Sequence, residues 1–335
     1  MKSKNRWTTV GMTFVLAATM ITINGTEAKA VDNASVSAGT SAIFKDIDKH
    51  WARQAIENAV EKKFVSGYAD GTFLPNKSGT RAEFTSMLVQ ALGLEVEEKQ
   101  ANDKWYVPCV TAANQAGITA ADEFKGNWNA NMTRQEMARM ASRAIGEVNT
   151  DPKKWMYLVT KAGIMSGYGG GELGVDKTTT RAESVVVIER TLQVKAGAKL
   201  KADKYAVQAA EIYWHKTNIY TVMPDFFNTE YKDGIWDVKK MELKTPDGKF
   251  YGIIDEVIAI DLADPNDPNL SKVPHYKELK WDNLKRPITG ISIYKHTDSY
   301  LLYYRSHVVY NKDTFKYGDR MWLSFMGTIW PNVNG

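Results

Sequence analysis

The sequence predicts a mostly helical, three-repeat region followed by a β-rich domain, and three observations predict it. The tetrapeptides Thr80-Arg81-Ala82-Glu83, Thr133-Arg134-Gln135-Glu136 and Thr180-Arg181-Ala182-Glu183 recur 53 and 47 residues apart. Each is followed by apolar residues at helical spacing and preceded by a second helix-like stretch that ends near a glycine. Beyond about residue 204, tyrosine, tryptophan and β-branched residues rise and alternating runs appear.

The first element reads as a secretory signal over residues 1–30. Lys2, Lys4 and Arg6 precede a mostly apolar run from Thr8 to Ile23, and Ala28-Lys29-Ala30 offers a small-x-small cleavage pattern. The run is short and broken by Gly11 and threonines, whereas a spanning helix needs about 20 apolar residues. The processed chain is therefore expected outside the cell and free of the membrane. Of the formal charge of +4, the signal region carries +3, leaving a mature chain near +1. That balance argues against a nucleic-acid binder, which would present a broadly basic face. Cys109 is the single cysteine, so no intrachain disulfide can form; it reads as a small, buried helix residue.

The repeats occupy residues 43–95, 96–147 and 148–196. In the first, Trp51, Ala55, Ile56, Ala59 and Val60 share one helix face; in the second, Trp105, Cys109, Val110 and Ala113 do; the third helix begins at Trp155. The rings of Trp51 and Trp105 are expected in the core, with an edge left for ligand. Phe84, Met87, Leu88 and Ala91 then mark the face of the first repeat's second helix. One such unit is too small to bury its apolar face alone, so the three should pack together.

Thr-x-x-Glu is a capping box. The threonine hydroxyl accepts from the third helical N–H and the glutamate reaches back to the cap, which assigns Thr80, Glu83, Thr133, Glu136, Thr180 and Glu183 to helix initiation. Arg81, Arg134 and Arg181 need a separate reason. A cation at the first helical position faces the positive end of the dipole, costing several tenths of a kcal/mol. The same place favours an anion through free N–H groups, and a guanidinium there can fork onto a carboxylate.

Taken in order, Phe44-Lys45-Asp46-Ile47, His50-Trp51-Ala52, Gly67-Tyr68-Ala69-Asp70-Gly71-Thr72-Phe73-x-Pro75 and Thr80-Arg81-Ala82-Glu83 resemble an S-layer-homology domain, and the resemblance covers about residues 43–196. It implies a pseudo-threefold helical prism that binds secondary cell-wall polysaccharide, linked to peptidoglycan and bearing a pyruvate ketal. The arginines would contact that ligand, aided by the glycine-loop residues Asp70 and Gly71; independently of the resemblance, the exposed edges of Trp51 and Trp105 could meet its sugar rings. Repeat 2 lacks the Gly-Tyr-x-Asp-Gly loop, having Asp122 to Trp128 instead. Repeat 3 keeps Gly167-Tyr168 but replaces the rest with Gly169-Gly170-Gly171 and Glu172 to Val175. Aligned on the loop, repeats 1 and 3 are offset by 100 residues, which sets Trp155 opposite Ala55. Only the groove assigned to Asp70, Gly71 and Arg81 has a complete motif.

Residues 205–335 are expected to form the β-rich domain. Lys244 to Lys249 has turn chemistry between Met241-Leu243 and Phe250-Ile254, a hairpin signature. Val257 to Leu262, Tyr300 to Tyr304, His307 to Tyr310 and Met321 to Ile329 read as strands, and Asp264 to Asn269 as a turn. His215, His275, His296 and His307 lack metal-ligand spacing, and no nucleophile elbow or phosphate loop occurs. No metal, cofactor or catalytic residue is therefore assigned. The functional expectation is non-enzymatic anchoring at the cell wall or S-layer surface, displaying the C-terminal domain. A wall-anchored enzyme acting on envelope glycans and a self-assembling lattice subunit remain alternatives.

Overall fold

Each repeat is built around the helix that its capping box starts. In the computed structural model, which describes residues 43–227, 236–281, 291–293 and 298–321, three helices begin at complete capping boxes. They are α2 (Arg81–Ala91), α4 (Arg134–Ala144) and α6 (Arg181–Lys195). Such a cap contributes about 1 kcal/mol. The expected signal at residues 1–30 and the expected strand beyond Met321 lie outside the described residues, as does His296.

The preceding helices are α1 (Arg53–Glu61), α3 (Val107–Gln115) and α5 (Lys154–Lys161), none with a side-chain cap. Their inward faces hold them: Ile56 and Ala59, Ala112 and Ala113, Met156 and Val159 are all buried. Helix α2 packs on α3, α4 on α5 and α6 on α1, and α6 also touches α2 and α4. Short bridges pair Ser78 with Thr180, Thr80 with Asn131 and Thr133 with Thr178. Each segment leading into a second helix is thus tied to those of the other repeats. One continuous apolar core results, with Phe64, Phe84, Met137, Met140, Met156 and Ile164 fully buried. Cys109 is half-buried against it and free.

Residue 205, where the β-rich part was placed, lies inside a helix. Asp203 caps α7 (Lys204–His215) by accepting from the N–H groups of Tyr205 and Ala206, and Ala206 and Ala210 join the core of the repeats. A short α8 (Ile219–Val222) follows. Alternation wins only beyond these helices, where β1 (Glu242–Lys244), β2 (Phe250–Asp261) and β5 (Tyr300–Asn311) form an antiparallel sheet in the order β1-β2-β5. The β1–β2 hairpin turns where the sequence reads a turn, with Gly248 at φ +65°. The run from Val257 lies within β2, while the two runs from Tyr300 and His307 are one continuous strand, β5. Irregularities between Tyr251 and Gly252 and between Ile254 and Glu256 absorb the register shifts against it. Strands β3 (Lys280–Trp281) and β4 (Ile291–Ser292) pair separately, and α9 (Thr314–Tyr317) follows β5.

Gly171 shows how closely α7 sits on repeat 3. Its φ is +81°, and an added Cβ would fall 2.7 Å from the Tyr205 carbonyl oxygen. Gly171→Ala is expected to cost about 2–4 kcal/mol, from left-handed strain plus the backbone clash. Gly169→Ala, whose Cβ would meet nothing within 4 Å, should change the thermal midpoint little. Equal midpoints for the two variants would refute the close packing.

Candidate functional site

Each arginine that opens a second helix reaches out of its own repeat into the next. Arg181 donates from Nε to the Phe73 carbonyl at 3.1 Å and from Nη2 to that of Ser66 at 3.2 Å, with Nη1 3.7 Å from Glu83. Arg134 repeats this on Leu173 at 2.8 Å, Ser166 at 2.6 Å and Glu183 at 3.6 Å. Arg81 instead forks onto Glu136 at 3.1 and 2.5 Å and donates to the Asn127 carbonyl at 3.0 Å. Rings lie under all three guanidinium groups: Tyr68 and Phe73 under Arg181, Tyr168 under Arg134 and Phe124 under Arg81. These contacts compensate the dipole cost of a cation at the first helical position. They also close a cycle in which repeat 1 grips 2, 2 grips 3, and 3 grips 1.

The free N–H groups expected at these helix starts are already engaged. Arg81 and Ala82 donate to Ala130 and Trp128, Arg134 and Gln135 to Lys177 and Val175, and Arg181 and Ala182 to Lys77 and Pro75. The capping boxes take the cap and third-position donors. No first-turn N–H is left for an anion at α2, α4 or α6. The segment before each second helix supplies the carbonyls to its neighbour, a role that spacing alone does not reveal.

Two further placements differ from the sequence reading. The motif order groups the loop of Asp70 and Gly71 with Arg81, but the same loop presents Ser66, Tyr68 and Phe73 to Arg181. The cause is the cyclic reach of the arginines. Asp70 itself accepts from the Thr72 hydroxyl at 2.6 Å and N–H at 3.0 Å, and these bonds hold its carboxyl below the usual range. Trp51 and Trp105, expected in the core, are 66% and 54% exposed. They precede their helices by two residues, and Ala52 and Tyr106 take the inward positions beside them. Trp155, inside α5, is the buried one.

The structure also assembles residues that the motifs did not single out. At the junction of repeats 3 and 1, Lys77 lies 3.1 Å from the Tyr68 hydroxyl, with Arg181 and Glu83 behind. At the junction of repeats 2 and 3, Lys177 lies 4.6 Å over the Tyr168 ring, whose hydroxyl donates to Glu183 at 3.1 Å beside Arg134. Burial pushes the Tyr168 phenol up, so it stays a donor. Tyr68, Lys77, Glu83 and Tyr168, Lys177, Glu183 obey the offset of 100 residues, and that offset was the signal that could have found the lysines. His50, its ring tilted against that of Trp51 at 5.4 Å, meets the Asn76 side chain next to Lys77 at 3.2 Å. The junction of repeats 1 and 2 is different: Phe124 replaces the tyrosine, and Glu123 is held by Arg139 and Arg143. At the first of these junctions an exposed lysine beside a fixed phenol and a nearby indole can meet an acidic group on a sugar ring; at the second, Lys177 is paired with Glu172 at 2.6 Å. No helix among the described residues is long and apolar enough to cross a membrane.

The S-layer homology domain family model matches residues 43–85 and 150–183. An exoglucanase of Acetivibrio thermocellus is 30% identical over 178 residues, 46% of this chain and 16% of the relative. A cellulosome-anchoring protein of the same organism is 28% identical over 163 residues, 48% of this chain and 28% of the relative. An S-layer protein of Bacillus thuringiensis subsp. finitimus is 28% identical over 200 residues, 53% of this chain and 24% of the relative. The chain thus spans less than a third of each of these proteins. Three capping boxes, a closed arginine cycle and the two matched segments lead to one statement: this chain carries S-layer homology domains over residues 43–85 and 150–183.

Proposed function

We propose that residues 43–196 anchor the protein to the cell surface as a three-repeat prism that binds an acidic, pyruvylated secondary polysaccharide of the wall. The observation that carries this reading is the repeated constellation at two junctions, Arg181 with Tyr68 and Lys77, and Arg134 with Tyr168 and Lys177. In it the buried arginines fix the tyrosines and set the positive potential, while Lys77 makes the outward contact, joined by Lys177 where the ligand's acid displaces Glu172, its partner at 2.6 Å. Trp51 and Trp105 offer exposed faces for sugar rings, and Asp70 and Gly71 shape the loop against Arg181. Arg81, already forked onto Glu136, serves the third junction. The relatives' names, a cellulosome-anchoring protein and an S-layer protein among them, support a role at the cell surface. The C-terminal region would be the displayed part.

The test is sedimentation of the full chain with purified sacculi. Binding to native sacculi, lost after the secondary polysaccharide is stripped, is the expected result. The double variant Lys77→Gln, Lys177→Gln should bind at least about tenfold more weakly, the scale of one charge-assisted hydrogen bond, with an unchanged melting temperature. Binding that survives stripping would sink the polysaccharide reading.

A further inference from the structure

A cleft of about 480 Å³ lies between α5 and the α7–α8 pair, outside the three junctions. The offset between repeats 1 and 3 shows what has changed to make it. In repeat 1 the corresponding outer face of α1 is polar and self-satisfied: Arg53 pairs with Glu57 at 2.8 Å and Gln54 with Asn58 at 3.0 Å. In repeat 3, Gln54, Glu57, Asn58 and Glu61 are replaced by Lys154, Tyr157, Leu158 and Lys161. Helix α7 then lays Trp214 beside that face.

The rings are held in place. Trp214 donates its indole N–H to Asp151 at 3.0 Å and sits 5.1 Å from Tyr157, centroid to centroid. Lys154 Nζ lies 4.8 Å over the Trp214 ring and Lys161 Nζ 5.4 Å over the Tyr157 ring. Neither lysine has a carboxylate within ion-pair distance among the described residues. Glu147 lines the cleft too, and so does Glu211, whose carboxyl lies within electrostatic reach of Lys161 but outside ion-pair distance. Its oxygens accept from the Tyr220 and Thr221 N–H groups and the Thr221 hydroxyl. Seven residues apart on one helix face, the two ammonium groups arise about 10 Å apart, a span that suits one or two sugar rings.

We propose that this cleft is a separate saccharide site for a carboxylate-bearing hexose unit. The His215 ring covers one face of Trp214, 3.3 Å between centroids, so the sugar ring stacks on the other face and on Tyr157, and its carboxylate meets Lys154 or Lys161. A fixed aromatic floor with a few placed polar groups is the usual form of such a pocket, and the size fits. The inference does not rest on wall anchoring, because no residue of the cleft belongs to the junction constellations.

The experiment follows the Trp214 indole N–H resonance of the full chain, assigned by its loss in Trp214→Phe, during titration with D-glucuronate, D-glucose or acetate. Glucuronate should shift it with saturation in the millimolar range, at least fivefold more tightly than glucose, and acetate should shift it little. The double variant Lys154→Gln, Lys161→Gln should bind glucuronate no better than glucose, and Lys77→Gln, Lys177→Gln should leave the titration unchanged. Equal binding of glucose and glucuronate, or a full response to acetate alone, overturns the proposal. Because the resonance reports this cleft only, its failure leaves the sacculus result standing, and the reverse holds too.

Discussion

Arg181→Ala is expected to lower the stability of the folded chain by about 3–5 kcal/mol, the cost of removing one partner from a buried charged network. The side chain is 8% exposed and is the last link of the cycle, joining repeat 3 to repeat 1. Its loss orphans the buried Phe73 carbonyl at about 1–3 kcal/mol, while that of the exposed Ser66 can turn to water, and it leaves Glu83 without its nearby cation. Arg81→Ala should cost less, because Arg81 and Glu136 are 17% and 16% exposed and water can reach the remaining carboxylate. Urea midpoints for the two variants measure the order. A loss below about 1 kcal/mol in Arg181→Ala would mean that the cycle closes without it.

The second large effect concerns pH. Burial pushes the Glu211 carboxyl up to about 7, against three hydrogen bonds that favour its ionised form. The folded state then holds a proton between pH 4.5 and 7 that the unfolded chain has lost, so this group makes stability fall as pH rises through that window. One turn along α7, burial drives the His215 imidazole down to about 4, aided by Lys154. Here the unfolded chain binds the extra proton between pH 4 and 6.5, so stability rises with pH. Each contribution amounts to about 3 kcal/mol at most, and their signs oppose. Wild type should therefore vary little between pH 4.5 and 6.5 from these groups and decline just above. In Glu211→Gln the histidine acts alone, and stability should climb by about 2–3 kcal/mol from pH 4.5 to 6.5 relative to wild type. Urea midpoints at half-unit pH intervals show the difference; parallel wild-type and variant curves would remove Glu211 from the account.

How much of this was legible beforehand depended on whether a pattern was local. The capping boxes were readable because Thr80 and Glu83 satisfy each other within four residues, and all three formed. The β1–β2 hairpin was readable for the same reason, through Thr245, Asp247 and Gly248 in one turn. The partners of the arginines were not, since Arg181 and Ser66 are 115 residues apart. The tryptophans misled because helical spacing was extended two residues before α1 and α3 begin, where the backbone is still turning. Helix α7 was missed because its tyrosine and tryptophan looked like strand composition, while its alanines, at 206 and 210, carried the helical period into the core. Lys77 and Lys177 could have been found by the offset of 100, as could the change of face that made the α5 cleft.

The bridge from Ser78 to Thr180 and the grip of Arg181 on the first loop give the repeats no free end. An open stack can gain or lose a unit and merely change length. Here a fourth unit would leave Arg181 facing a new loop and strand the first one, and a two-unit chain would leave a loop ungripped. Copy number is therefore set by ring closure. Closure also sets an order of events during synthesis. The segment around Ser66 must wait for residue 181 to emerge, at about 5–20 residues per second, so its apolar side stays uncovered for several seconds.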